Sequence, residues 1–184
     1  LKAIGTSADN QSPVVILGAH IDTVRGTNQP AADDDASGVG VVLETFRVLA
    51  EAISRGKIAL KRDLEFMFFA GEENGQKGSK EIADTYFKEG KRVLAMMNLD
   101  MVGFQCPKKV IGIVDDYTDP DLNDLTRKLV KTYCSLPTGT DHCGFPCSDH
   151  ASFHSVGVPT VYPFECDGGN MFMGTHTPND VPSN

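Results

Sequence analysis

Val14-Val15-Ile16-Leu17-Gly18-Ala19-His20-Ile21-Asp22 is the stretch on which the reading of this chain turns. Val14 to Ala19 is a continuous apolar run, which predicts a strand covered on both faces of a sheet. The strand delivers His20 and Asp22 to its carboxyl end. A short loop later comes Ala32-Asp33-Asp34-Asp35-Ala36-Ser37-Gly38, with three consecutive carboxylates in the turn that opens a helix. Adjacent carboxylates repel one another and add nothing to a core, and capping a helix needs one Asp or two. Three make sense around a multivalent cation, with His20 as a nearby nitrogen donor. The expectation is a two-metal site whose remaining ligands arrive on later segments.

Working outward, apolar residues at Val39, Val42, Phe46, Leu49, Ala50 and Ile53 follow helical spacing from Ser37 to Arg55, and Gly56 stops the helix. Leu64 to Ala70 is a second buried strand running into Gly71-Glu72-Glu73-Asn74-Gly75. Ser79 caps a short helix carrying Ile82, Ala83 and Tyr86, closed by Gly90. Val93 to Leu99 is a third strand ending at Asp100, and Val110 to Val114 is a fourth. Asp119-Pro120 starts a helix lined by Leu122, Leu125, Leu129 and Tyr133. Residues 135–157 read as loop-rich, and Val158 to Phe164 as a last strand. Strand–helix alternation predicts a three-layer α/β sandwich: a mostly parallel central sheet with helices on both faces, forming one domain over residues 1–184. In such sheets ligands bind off the carboxyl ends of the strands. His20 and Asp22, Glu72 and Glu73, and Asp100 each follow a different strand, so all collect at that edge.

The donors differ in what they offer. Residues two apart in a strand face one side, so Asp22 is expected to accept a hydrogen bond from the His20 ring nitrogen not given to metal, fixing tautomer and orientation. Glu72 and Glu73 point in different directions, so one can bind metal while the other faces substrate as a general base. Asp100, between Leu99 and Met101, is costly to bury as a charge without a cation. The last histidine ligand is open on spacing alone, since His142, His150 and His154 compete with His176. Gly38-Val39-Gly40 lacks the third glycine of a dinucleotide loop. Ser148-Asp149-His150 has the residue types of a hydrolase triad, but no Gly-x-Ser-x-Gly elbow occurs.

The totals narrow the classes. With 184 residues the chain is long enough for a real core. A net charge of −8 argues against nucleic acid and anionic membranes as partners. No apolar run is long enough to span a membrane. The five cysteines, Cys106, Cys134, Cys143, Cys147 and Cys166, leave at least one thiol free or paired outside the chain. Asn10-Gln11-Ser12 is a glycosylation acceptor pattern. The chain begins with Leu and reads as a processed or excised piece of a longer product.

Six segments in order now resemble one family. They are Gly18-Ala19-His20-Ile21-Asp22, Ala32-Asp33-Asp34-Asp35-Ala36-Ser37-Gly38, Ala70-Gly71-Glu72-Glu73, Asn98-Leu99-Asp100-Met101, Cys143-Gly144-Phe145-Pro146-Cys147-Ser148-Asp149-His150-Ala151-Ser152 and Thr175-His176-Thr177. From about Val14 to Asp180 the chain is similar to the secreted co-catalytic zinc aminopeptidases, above all the Aeromonas-type and fungal leucine aminopeptidases. The resemblance implies two Zn²⁺ bridged by Asp34, with His20 and Asp100 completing one site and Glu73 and His176 the other. It implies Glu72 as general base and acid, a Cys143–Cys147 disulfide, and a cis bond between Asp34 and Asp35. It also implies a hydrophobic pocket at Met101, Cys143, Phe145, Tyr162 and Phe164, and an extracellular setting. Relatives commonly carry Tyr where Phe145 stands, and the stretch Asp167 to Met173 is less aromatic than theirs. The family's catalytic domains also extend beyond this chain at both ends, so the remainder of its own chain is an expected partner alongside peptides with a free N-terminus.

Rival readings make different demands. A carboxypeptidase or deacylase of the same clan wants basic residues for a substrate carboxylate; Arg25, Lys108 and Lys109 are candidates outside any motif. A glutaminyl-cyclase-like enzyme uses one zinc, and a non-catalytic binding module predicts eroded ligands. The five-ligand set here is intact.

Overall fold

The structure is a computed structural model that describes residues 1–3, 5, 12–26 and 28–182. Of the glycosylation pattern, Asn10 and Gln11 lie outside the described residues. Among those described, the elements in chain order are β1 (Lys2–Ala3), β2 (Val14–His20), α1 (Ala36–Ser54), β3 (Leu64–Phe69), α2 (Lys77–Lys88), β4 (Val93–Asn98), β5 (Ile111–Val114), α3 (Pro120–Tyr133), β6 (Thr138–Asp141), α4 (His150–His154), β7 (Thr160–Val161) and β8 (Pro163–Phe164). The main sheet has the order β1-β3-β2-β4-β7. β2, β3, β4 and β7 run parallel, and β1 pairs antiparallel to β3. The central strand β2 pairs on both sides, with Leu17 opposite Phe66 on one and Met97 on the other.

Alternation along the strands sorts the core into two layers. Val14, Ile16, Phe69 and Met96 pack with Ala83 of α2 and Phe153 of α4 on one face. Ala19, Phe66 and Leu99 pack with Val42 of α1 on the other, backed by Val39, Phe46, Leu49 and Ile53 of the same helix. The three-layer α/β expectation therefore holds, and the helical spacing of α1 is its buried stripe. Asp35 caps α1 by accepting the Gly38 amide at 3.0 Å. Gly38 has to be glycine, because a Cβ there would meet the Leu99 carbonyl and the Asp35 carboxylate. α1 thus starts in contact with the end of β4.

Three expectations are corrected. The fourth strand, β5, leaves the main sheet and forms a small second one in the order β6-β5-β8. The single strand from Val158 to Phe164 is two: β7 extends the main sheet, and β8 joins β5 antiparallel. Pro163 has no N–H to continue the ladder, and the chain swings between sheets at Tyr162, whose carbonyl accepts the Val114 amide at 3.0 Å. The loop-rich stretch 135–157 also holds the short elements β6 and α4. Finally, Ser79 does not cap α2. The helix begins two residues earlier behind Gln76, which is left-handed at φ 57°. Ser79 is buried and its hydroxyl is engaged by the Gln76 carbonyl and by Ser152 of α4.

The lining of α3 also differs. Asn123, Thr126 and Val130 are its buried residues, while Leu129 and Tyr133 are 45% and 81% exposed. With Val41, Phe104 and Leu136 they flank a groove of 590 Å³ between α1 and α3. Two disulfides, Cys143–Cys147 and Cys106–Cys166, tie loops of the second sheet's side, and Cys134 is free and exposed. No helix among the described residues is long and apolar enough to cross a membrane.

Candidate metal centre

Three strand ends and two turns converge at the carboxyl edge of the main sheet. His20 is the last residue of β2; Glu72 and Glu73 follow β3; Asp100 follows β4. Asp34 comes from the turn before α1, and the Asp34–Asp35 bond is cis. His176, at φ 60°, comes from the tail beyond β8. His20, Asp34 and Asp100 each offer a ligand atom within 4.8 Å of the others, and so do Asp34, Glu73 and His176. Asp34 belongs to both sets and divides its oxygens between them. Its Oδ1 lies 3.0 Å from His20 Nε2, and its Oδ2 lies 2.9 Å from His176 Nε2. Glu73 Oε2 is 3.2 Å from the same His176 nitrogen, and Asp100 Oδ1 is 3.6 Å from His20 Nε2. Of the four candidate histidines, the geometry selects His176. His150 stacks on Tyr162 at 4.9 Å and His154 meets Tyr117 edge-on, while His142 pairs with Asp115 at 2.8 Å. Asp115, Asp116 and His142 form a further exposed group of donors beside the Cys143–Cys147 loop. There Asp116 accepts the Cys143 and Gly144 amides.

The residues present fit a divalent cation in each set. Asp34, Asp100 and Asp35 are buried, and among the described residues only the two imidazoles come within ion-pairing reach of Asp34, Glu73 and Asp100. Glu73 Oε1 is buried without a hydrogen-bond partner, an expensive state that a cation relieves. The electrostatics show the same deficit. Burial and then the Asp100 charge push Asp35 up to about 10. Burial, followed by Asp100 and Asp149, pushes Glu72 up to about 8. Glu73 rises through burial and Asp34. Burial alone would lower His20, but its hydrogen bonds to Asp100 and Asp34 lift it well above the ordinary imidazole range. Carboxylates crowded in low dielectric take up protons unless a positive ion replaces them.

The supporting contacts revise one expectation. Asp22 does not accept from the His20 ring through its carboxylate; His20 Nδ1 bonds instead to the Asp22 backbone carbonyl at 3.0 Å. The Asp22 carboxylate takes the amides of Glu72 and Glu73 at 3.0 and 3.2 Å. Asp22 lies past the end of β2, where the side-to-side alternation of the strand no longer applies. Ser148 donates to Asp100 Oδ2 at 2.5 Å and receives Asn98 Nδ2 at 2.8 Å. The Ser148-Asp149-His150 run thus contributes a hydroxyl that orients Asp100. Beside the donors, Met101, Tyr162 and Phe164 are buried together with Val114, and Cys143, Cys147 and Phe172 pack against them. Phe145 is 60% exposed and stands outside that cluster. Val114 and Phe172 escaped the sequence reading because neither lies in a motif; only their packing reveals them.

Sheet and donors together define an α/β protein with two candidate cation-binding sets off the carboxyl ends of its strands. The chain belongs to peptidase family M28, whose family profile matches residues 3–184. It is 38% identical over 174 residues to a probable leucine aminopeptidase of Arthroderma benhamiae, covering 91% of this chain and 47% of that protein. The crystal structure of the Legionella pneumophila LapA aminopeptidase superposes with a TM-score of 0.87 at 32% identity, over 94% of this chain and 46% of that one. BSAP, a zinc aminopeptidase from Bacillus subtilis, superposes with a TM-score of 0.80 at 26% identity, over 99% and 43% respectively. The chain spans about half the length of the curated relatives it matches.

Proposed function

We propose that this chain carries the catalytic core of a di-zinc aminopeptidase, which hydrolyses the first peptide bond of peptides with a free amino end and a leucine-like first residue. The observation that carries the proposal is Asp34, whose two oxygens face two different donor sets. One zinc would be held by His20, Asp34 and Asp100, the other by Asp34, Glu73 and His176. When bound, the pair supplies Lewis acidity toward a peptide carbonyl and lowers the pKa of water toward neutrality.

The chain's own residues do the rest. Glu72 takes a proton from the attacking water and returns it to the leaving amine. Its place is fixed from behind, because the Asp22 carboxylate holds its amide and that of Glu73. Its pKa of about 8 in the crowded carboxylate cluster falls when cations enter, which brings it into the range where a group both accepts and gives a proton. The first side chain of the peptide would pack against the apolar cluster of Met101, Tyr162 and Phe164. The Tyr162 hydroxyl is engaged by the Asp100 carbonyl at 3.1 Å, so the cluster offers an apolar surface. An acidic edge suits a free amino end. A substrate carboxylate has less to meet, since Lys108 is paired with Asp167 at 3.0 Å. The two disulfides support an extracellular setting.

Elemental analysis at saturating metal, together with turnover of leucine 4-nitroanilide and its N-acetylated counterpart, tests the proposal. Two zinc ions per chain and hydrolysis of the free-amine substrate alone are expected. A single zinc, or equal turnover of the blocked substrate, overturns it.

A further inference from the structure

His176 is the most exposed of the five donors, and in the loop that carries it the residue four positions on is fully committed to the metal turn. Asp180 is buried. Its Oδ1 accepts the Asp33 amide at 2.7 Å and its Oδ2 accepts the Asp34 amide at 3.1 Å. Its backbone carbonyl takes the Ala32 amide at 3.2 Å. One side chain therefore grips the backbone of the very residue whose carboxylate is shared between the two donor sets. Between His176 and Asp180 the chain is a compact turn, closed by Thr177 N to Gly174 O and by Asp180 N to Thr177 O. The turn is braced at its other end by Glu165, whose Oε1 accepts the Phe172 amide at 2.7 Å. Asp180 and His176 thus belong to one hydrogen-bonded turn, and the Asp180 carboxylate ties that turn to the residues ahead of α1.

The geometry points to Asp180 as a positioning residue: it sets the distance between His176 and Asp34, and hence the affinity of the donor set Asp34, Glu73 and His176 for its ion. This rests on the metal reading above. Outer groups that orient metal ligands typically contribute about 10–100-fold to metal affinity. The effect should be unequal. Asp34 is common to both sets, but His176 rides on the same loop as Asp180, whereas His20 and Asp100 follow strands that Asp180 does not touch, so two of the three donors of their set keep their places when the clamp loosens.

The test is titration of the metal-free chain with Zn²⁺ against a competing chelator, for wild type, Asp180→Asn, His176→Ala and the double variant. Asp180→Asn keeps the side chain's size but turns one acceptor into a donor facing an amide, so one of the two hydrogen bonds is lost. Wild type should take two ions. Asp180→Asn should weaken the ion that His176→Ala also weakens by about 10–100-fold and hold the other within about threefold of wild type. On the His176→Ala background, Asp180→Asn should change the remaining ion little, because groups acting through one another are not additive. Equal weakening of both ions in Asp180→Asn, or no weakening of the ion that His176→Ala affects, overturns the inference and leaves a purely structural clamp. If Asp180→Asn does not fold, Glu165→Gln and Glu165→Ala stand in at the other end of the loop; Ala alone should weaken the second ion, and the absence of any difference between them counts against the inference. If wild type itself takes fewer than two ions, the metal reading has failed and this inference falls with it.

Discussion

At the carboxyl edge of the main sheet, Asp34, Asp35 and Asp100 are acidic side chains held away from water. In the groove between α1 and α3, Val41, Leu129 and Tyr133 are apolar side chains held in it. Each region breaks the usual rule of burial in the opposite direction. At the edge the violation is organised: carboxylates are gripped by amides and hydroxyls, as with Ser148 on Asp100, Asp22 under Glu72 and Glu73, and Asp180 on Asp33 and Asp34. In the groove nothing comparable is built, and the side chains simply line a surface. Buried polarity that is held in place marks a site, whereas exposed apolarity marks only a face.

The largest effect should come from Glu72. Glu72→Gln removes the proton shuttle without touching a ligand or the Asp22 clamp, which grips the backbone. It should lower kcat by about 10²–10⁴-fold while zinc content and melting temperature stay near wild type. An unchanged kcat in the metal-loaded variant would move the base elsewhere at the edge.

The site was legible to different depths. His20, Glu72, Glu73 and Asp100 could be assembled because each follows a strand visible as an apolar run, and a parallel sheet puts such ends together. The Cys143–Cys147 bond and the bridging role of Asp34 came through resemblance, since no spacing rule yields them. Asp180, Ser148 and Asp116 were beyond reach: an Asp or Ser in a loop gives no sign of which distant amide or carboxylate it will meet. The fold failed where local pattern was weakest. Thr138–Asp141 has no apolar alternation, and the Val158–Phe164 run reads as one strand although Pro163 sends its second half to another sheet. The apolar residues of α3 misled for the reverse reason, having the periodicity of a buried stripe without the partner.

The second effect lies just behind the edge. His150 is buried against Tyr162, and burial pushes its pKa down to about 4. In the unfolded chain a histidine titrates near 6.5. As pH falls, the unfolded state therefore takes the proton first, and the native state loses ground from about pH 6.5 until both forms are protonated near pH 4. The loss attributable to this one group is about 3 kcal/mol. Urea unfolding at intervals across that window, with His150→Gln beside wild type, isolates it from the carboxylates that titrate in both. The variant should show the shallower decline. Parallel curves would mean that the ring is charged or solvated in the native state, and that the ordered polarity of the edge stops short of His150.

The smallest effect should come from the groove. Tyr133 at the end of α3 is 81% exposed and Leu129 is 45% exposed, so little of either is withdrawn from water on folding. Surface substitutions away from caps and buried networks usually change stability by less than about 0.5 kcal/mol. Tyr133→Ser combined with Leu129→Gln should therefore leave the unfolding midpoint almost where it was. It should also leave zinc content and turnover unchanged, since neither residue approaches the donors. The contrast with the edge is sharpest if this double change is silent in all three measurements. A clear loss of stability would show that the face is covered in solution. Its dependence on protein concentration would then tell whether the cover is a second copy, which dilution removes, or a part of the same molecule, which dilution does not.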